Sequence, residues 1–126
     1  MTMTEEFASP EPARAALDAL PGALLLEFGS PTCGHCRAAQ APLRAALAGH
    51  DRVTHLKIED GRGRLLGRSF GVKLWPTLVF LRDGREVERL VRPREARPID
   101  AALAVIDPPA CIGSAAKRSD LPVAQP

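Results

Sequence analysis

A short run of apolar residues between two turn signals is the feature that most constrains the fold. Residues 23–28 are apolar apart from Glu27, with Pro-Gly before them and Gly-Ser-Pro after them. An apolar run of this length, closed by glycine and proline at both ends, is typical of a strand buried on both faces. Because such strands lie in parallel or mixed sheets covered by helices, the run predicts an α/β fold.

Helices are predicted on both sides of this strand. Ser9 is a candidate N-cap with Pro10 at the first helical position, and apolar residues recur at helical spacing as far as Leu20. A second helix is expected from Cys33 to about residue 48. Pro42 predicts a kink in it, because proline lacks the N–H group for an intrahelical hydrogen bond.

The second half of the chain predicts a strand, a short helix, a hairpin and a final helix. The strand is expected at residues 53–58, and the short helix carries the apolar residues at positions 65, 66 and 70. Asp83-Gly84 separates residues 77–82 from residues 85–91 and is a strong hairpin signal. Apolar residues recur at helical spacing in residues 95–106. Together these elements predict a mixed sheet with helices on both faces.

The chain length favours one domain, since 126 residues leave little room for a second independent core. We assign this domain to residues 9–107. Residues 1–8 and 108–126 lack a clear hydrophobic period and are expected to be flexible.

Composition and charge exclude several classes of function. Aromatic residues make up only 4% of the chain and the formal net charge is +2, so we expect no nucleic-acid partner. No apolar run approaches the roughly 18 residues needed to span a bilayer, so no membrane association is expected. The acidic N-terminus lacks the features of a secretory signal, which favours a cytoplasmic location.

The Cys33-Gly34-His35-Cys36 motif carries the chemistry. Cys33 lies at the predicted start of a helix, where unpaired N–H groups and the helix dipole favour the thiolate, so we expect it to be the nucleophile. One helical turn later, Cys36 comes within disulfide distance and is the resolving thiol. A partly protonated His35 stabilises the reduced form and makes the disulfide a better oxidant.

A structural or zinc-binding pair is the competing interpretation of Cys33 and Cys36, but zinc needs four ligands and the third cysteine, Cys111, lies in the predicted tail. We therefore expect no metal.

The motif, a Trp75-Pro76-Thr77 segment and the Asp83-Gly84 hairpin together resemble the thioredoxin family over roughly residues 10–106. The resemblance implies a cis Pro76 facing the cysteines, next to backbone that pairs with an extended substrate segment. It places Trp75 beside this groove, and Thr32 and Gly34, which flank Cys33, on the same surface. It also implies that Glu27 relays a proton to the resolving thiol. His55 and Lys57 are equally good candidates for the basic partner of that carboxyl group; His50 and His55 are otherwise interpreted as structural or solvated.

The sequence departs from the family pattern at several positions. Thr32 stands where a tryptophan usually precedes the first cysteine, and Gly29 replaces an aromatic residue. The resemblance implies a thioredoxin-like fold, but no good candidate for the family's first strand precedes Ser9. We therefore expect a mixed sheet of four or five strands. Gly34-His35 resembles protein disulfide isomerases, whose potential near −180 mV compares with about −270 mV for thioredoxin. We therefore expect a less reducing protein than thioredoxin.

The resemblance implies a monomeric thiol–disulfide oxidoreductase with no cofactor beyond the Cys33–Cys36 disulfide. Its partners would be protein disulfide substrates and a recycling reductase. A thioredoxin-fold binding or chaperone module without turnover is the alternative. A periplasmic oxidase or isomerase is a third possibility, based on Gly34-His35 alone.

Overall fold

The predicted buried strand lies inside a four-stranded mixed sheet. The computed structural model describes residues 3–107. Its elements are α1 (Arg14–Asp18), β1 (Ala23–Gly29), α2 (Gly34–Leu47), β2 (Thr54–Glu59), α3 (Leu65–Ser69), β3 (Thr77–Arg82), β4 (Arg85–Val91) and α4 (Ala96–Ile106). The strand order is β2-β1-β3-β4, with β1 parallel to β2 and antiparallel to β3. The mixed sheet with helices on both faces is confirmed, with four strands.

Two hydrophobic cores lie on opposite faces of the sheet, because successive side chains of a strand point to opposite sides. One core joins Leu25 of β1 to the apolar stripes of α2 and α4, which include Leu43 and Leu103. The other joins Leu24, Leu26 and Phe28 to side chains from α1, α3 and the segment after α3. Glu27 has the same parity as Leu25, so its carboxyl group enters the α2 side of the sheet.

The first helix begins later than the sequence predicts. It spans only Arg14–Asp18 with Ala13 as N-cap, and Ser9 and Pro10 precede it, joined by a cis peptide bond. Of the predicted apolar stripe only Leu17 is buried, and Leu20 is 40% exposed. The carboxylate of Glu11 instead accepts a hydrogen bond from the backbone N–H of Leu66 at 2.7 Å, which holds this segment against α3.

The segment at residues 3–8 makes specific contacts with β2, although the sequence predicts a flexible N-terminus. The backbone N–H of Thr4 donates to Nδ1 of His55 at 2.9 Å, and its hydroxyl donates to the carbonyl of His55 at 2.7 Å. Phe7 forms a single parallel bridge with Lys57. The predicted tail at residues 108–126, including Cys111, lies outside the described residues. No helix within residues 3–107 is long and apolar enough to cross a membrane.

Candidate active site

Cys33 lies where β1 passes into α2, at the end of the sheet where the parallel strand β2 also ends. It is the N-cap of α2, and its Sγ accepts the backbone N–H of Cys36 at 3.2 Å. Such a sulfur replaces the oxygen of an ordinary N-cap side chain, and it satisfies one of the helix's free donors. The predicted placement of Cys33 at a helix N-terminus is therefore confirmed.

The surroundings of Cys33 favour its thiolate. Burial of the sulfur acts to raise its pKa, but hydrogen bonds from the Cys36 thiol and from the backbone N–H groups of Cys36 and His35 outweigh burial. The positive charge of Arg92 lowers the pKa further, and the net pKa lies below that of an ordinary cysteine. The lower pKa of Cys33 favours it as the nucleophile of the pair.

Cys36 has the opposite environment. It is buried, and burial together with the hydrogen bond and negative charge of Cys33 raises its pKa to about 12. Both cysteines are free thiols. A Cβ atom at Gly29 would lie 2.5 Å from Sγ of Cys36, so glycine at this position makes room for the sulfur.

Glu27 is the centre of a buried polar cluster behind the cysteines. Its side chain accepts hydrogen bonds from Nε2 of Gln40 at 2.7 Å and from Nε2 of His55 at 2.9 Å. Nζ of Lys57 lies 3.9 Å from the same carboxylate. The two candidate basic partners, His55 and Lys57, therefore both face Glu27, because they are two residues apart on one strand.

A cavity of about 90 Å³ lies between Glu27 and the two cysteines. Gln40, Arg37 and Lys57 contribute to its wall. A cavity of this size, with the side chains of Glu27 and Gln40 in its wall, has room for water molecules. Both Cys36 and Glu27, between which the resemblance implies a proton transfer, therefore line one cavity.

Trp75 and Pro76 form the second wall of the site. Their peptide bond is cis. The Trp75 carbonyl oxygen lies 4.0 Å from Sγ of Cys33, and the indole N–H donates to Asp60 at 2.9 Å. Nε of Arg92 donates to that same carbonyl at 2.8 Å. One of the backbone groups expected to pair with substrate therefore already has a partner.

The remaining predicted site residues surround Cys33 on the surface. Thr32 is exposed, and its hydroxyl lies 3.2 Å from that of Ser30. Gly34 begins α2, and open space surrounds the position of a Cβ atom there. The His35 side chain is exposed, and its backbone N–H is one of the donors to Cys33.

Comparison with known proteins gives a consistent family assignment. The Thioredoxin family model matches residues 14–105. The chain belongs to the thioredoxin family. It is 53% identical to thioredoxin 2 from Pseudomonas aeruginosa PAO1 in its reduced form, with a TM-score of 0.73 over 82% of this chain and 96% of that one.

Two curated relatives are named as a protein disulfide-isomerase and a thioredoxin. Protein disulfide-isomerase A2 from Pongo abelii is 42% identical over 83 residues, which are 61% of this chain and 16% of the relative. Thioredoxin from Chlamydia muridarum (strain MoPn / Nigg) is 37% identical over 70 residues, which are 56% of this chain and 69% of that protein. The chain thus corresponds to a small part of the isomerase and to most of the thioredoxin.

Two further residues of the active site, Gln40 and Arg92, were not predicted from the sequence. Gln40 follows Cys36 by four residues, so helical spacing alone places the two on one face of α2. Its amide also donates to the Cys36 carbonyl at 2.9 Å. Arg92 follows the hairpin, whose register brings the end of β4 beside Pro76. The predicted elements place both residues near the cysteines, but they do not show which groups the two side chains contact.

Proposed function

We propose that this protein is a thiol–disulfide oxidoreductase that acts on protein disulfides. The observation that carries the proposal is the opposite tuning of two adjacent thiols: Cys33 is a helix N-cap with a lowered pKa, and Cys36 is buried with a pKa raised to about 12. In such a pair the thiol with the lower pKa attacks the substrate, and the thiol with the higher pKa reacts only after the mixed disulfide has formed.

The first step is attack by the Cys33 thiolate on one sulfur of a substrate disulfide. A bond forms between Cys33 Sγ and that sulfur, and the substrate S–S bond breaks with its electron pair on the leaving sulfur. The mixed disulfide no longer carries the negative charge of Cys33. Because that charge helps to raise the pKa of Cys36, its loss makes the Cys36 thiol easier to deprotonate.

The second step is resolution by Cys36. Its proton passes across the cavity to Glu27, whose carboxylate is held in place by Gln40 and His55. The Cys36 thiolate then attacks Cys33 Sγ, the Cys33–Cys36 disulfide forms, and the substrate leaves as a thiol. The two cysteines carry both electrons themselves, so the cycle needs no bound cofactor, only a reductase that returns the pair to the dithiol.

A cytoplasmic location suits this direction of reaction, because thiols are kept reduced there. We further propose that the protein works as a monomer and that Gly34-His35 gives it a less reducing potential than thioredoxin. Equilibration with glutathione measures that potential directly.

The test of activity is reduction of insulin disulfides with dithiothreitol as the electron donor. The wild-type protein should accelerate insulin precipitation, and Cys33→Ser should abolish the acceleration. Cys111→Ser is the matched control and should retain full activity. Full activity of Cys33→Ser would overturn the proposed function.

Trapping separates turnover from binding alone. Cys36→Ser should accumulate mixed disulfides with cellular proteins, since the resolving thiol is missing. A binding or chaperone module without turnover would form no such adducts.

A further inference from the structure

Arg92 occupies an unusual backbone position beside the nucleophile. It directly follows β4 with φ of 54°, in the left-handed region that side-chain-bearing residues seldom adopt. Its backbone N–H donates to the carbonyl of Pro76 at 2.9 Å, which fixes the chain at this point. Residues held in such conformations by their surroundings cluster at functional sites.

The Arg92 side chain turns toward the active site. Nε donates to the Trp75 carbonyl at 2.8 Å, and this carbonyl oxygen lies 4.0 Å from Cys33 Sγ. The guanidinium group is therefore anchored through one of its five N–H groups, next to both the sulfur and the cis proline. Arg92 is exposed, so the fork formed by its two terminal nitrogens can be reached by a bound substrate.

The rest of this surface suits a peptide with an acidic residue. Leu74 is 49% exposed and Val91 is 48% exposed, and they directly precede Trp75 and Arg92 in the sequence. Arg37 adds a second exposed positive charge at the mouth of the cavity beside Cys33. The Asp60 carboxylate is hydrogen-bonded to the indole N–H of Trp75.

We infer that Arg92 binds a carboxylate of the substrate beside the attacked disulfide, so that the protein prefers acidic disulfide substrates. The inference rests on the proposed function and adds the charge of the substrate to it. A planar guanidinium binds a carboxylate through two parallel hydrogen bonds, which lysine cannot reproduce. The carboxylate comes either from an acidic side chain of a protein segment or from a small acidic thiol such as glutathione.

The experiment uses cysteine peptides activated as thiopyridyl disulfides. The Cys33 thiolate attacks the peptide sulfur, the S–S bond to the pyridine breaks, and the electron pair leaves with thiopyridone, whose absorbance reports the rate. Two peptides carry Glu on one or the other side of the cysteine, and matched peptides carry Gln instead. A glutathione arm compares the free tripeptide with its diester.

At low ionic strength, we expect the wild-type protein to react about 3-fold faster with at least one Glu peptide than with the matched Gln peptide. The effect is small because the charge pair is exposed to solvent. High salt should reduce this ratio toward one. Arg92→Gln should abolish it and Arg92→Lys should reduce it. A ratio of rates is insensitive to the reactivity of Cys33, so a general effect of Arg92 on the thiolate cannot produce it.

Arg85→Gln is the matched control for net charge, because Arg85 is exposed at the opposite end of β4. Seven residues of extended chain place it about 23 Å away, too far to contact a carboxylate that is bound beside Arg92. This variant should keep the wild-type ratio.

Equal rates for Glu and Gln peptides, or a ratio unchanged in Arg92→Gln, would overturn the inference. Absence of thiopyridone release from every peptide would instead overturn the proposed function. A preference confined to the glutathione arm would identify the small thiol as the source of the carboxylate.

Discussion

At the scale of single residues, the site depends on which groups donate to Cys33. The thiolate receives hydrogen bonds from the Cys36 thiol and from two backbone N–H groups, those of His35 and Cys36. Hydrogen bonds to a charged acceptor are stronger than neutral ones, so each donor stabilises the reduced protein. Substitutions that remove one of these hydrogen-bond donors should therefore shift the reduction potential of the Cys33–Cys36 pair.

His35 offers a substitution that separates its backbone from its side chain. His35→Pro removes both the imidazole and the backbone N–H, whereas His35→Ala removes the imidazole alone. Proline is tolerated here because position 35 lies in the first turn of α2. Each lost donor destabilises the thiolate, so we expect His35→Pro to be more reducing than wild type by about 20 to 40 mV, equivalent to roughly 1–2 kcal/mol. Equilibration with glutathione measures the shift.

His35→Ala serves as the control in this series. If the imidazole contributes, its potential should lie between those of the wild type and His35→Pro. Equal potentials for His35→Pro and His35→Ala would show that the backbone N–H of residue 35 contributes nothing.

The sequence predicts the cysteines and the acid at this scale better than it predicts their partners. Cys33 and Cys36 follow from spacing, and Glu27 follows from a carboxylate inside an apolar strand. Gln40 and Arg92 are ordinary surface-type residues, and only their contacts make them part of the site. No local pattern marks such residues, because their position depends on how α2 and the hairpin pack.

At the scale of helices and strands, the sequence predicts an element correctly where its local turn and capping signals agree with the tertiary packing. The hairpin strands have the bounds that Asp83-Gly84 predicts, and both turn residues have positive φ, 52° and 80°. The helix signal at Ser9 and Pro10 fails. Pro12 disfavours helical geometry at Glu11, and the Glu11 side chain bonds to α3 instead. A tertiary contact thus overrides the local helix signal.

The end of α2 is joined to α4 by His50. Nδ1 of His50 lies 2.6 Å from Asp107, and Nε2 lies 2.8 Å from Asp100. Burial lowers the pKa of His50, but the hydrogen bonds and charges of Asp107 and Asp100 outweigh it and raise the net pKa. His50 therefore has a structural role and links the two helices that cover one face of the sheet.

We expect the stabilisation from His50 to depend on pH. Below its unfolded pKa of about 6.5 the imidazolium exists in both states and its pairing with the aspartates is fully present. It is lost as pH rises through the higher folded pKa. His50→Gln should therefore lower the free energy of unfolding by about 1 kcal/mol at about pH 5.5 and by less at about pH 9. Urea unfolding at both pH values measures the difference. The exposed His35→Gln is the control, and a His50→Gln effect independent of pH would contradict the argument.

At the scale of the whole molecule, hydrogen bonds connect the N-terminal segment to the active site. Thr4 bonds to His55, His55 to Glu27, Glu27 to Gln40, and Gln40 to the carbonyl of Cys36. A backbone N–H is always a donor, so Nδ1 of His55 accepts from Thr4. Neutral His55 must then carry its proton on Nε2, where it donates to Glu27. Residues 3–8 thus select the tautomer of a side chain that holds the proton acceptor.

The N-terminal segment should therefore stabilise both the fold and the Glu27 cluster. Deletion of residues 2–8 removes both Thr4 bonds and the stacking of Lys57 on Phe7, whose ring centroid lies 4.9 Å from Nζ. We expect the free energy of unfolding to fall by about 2–3 kcal/mol in urea titrations. The NMR shifts of the imidazole nitrogens of His55 should change from values typical of one tautomer to values typical of a mixture of both.

Thr4→Val loses only the hydroxyl bond, so it should lower the free energy of unfolding by about 1 kcal/mol and keep the single tautomer. A deletion variant with wild-type stability and an unchanged His55 spectrum would show that the segment does not act on the site.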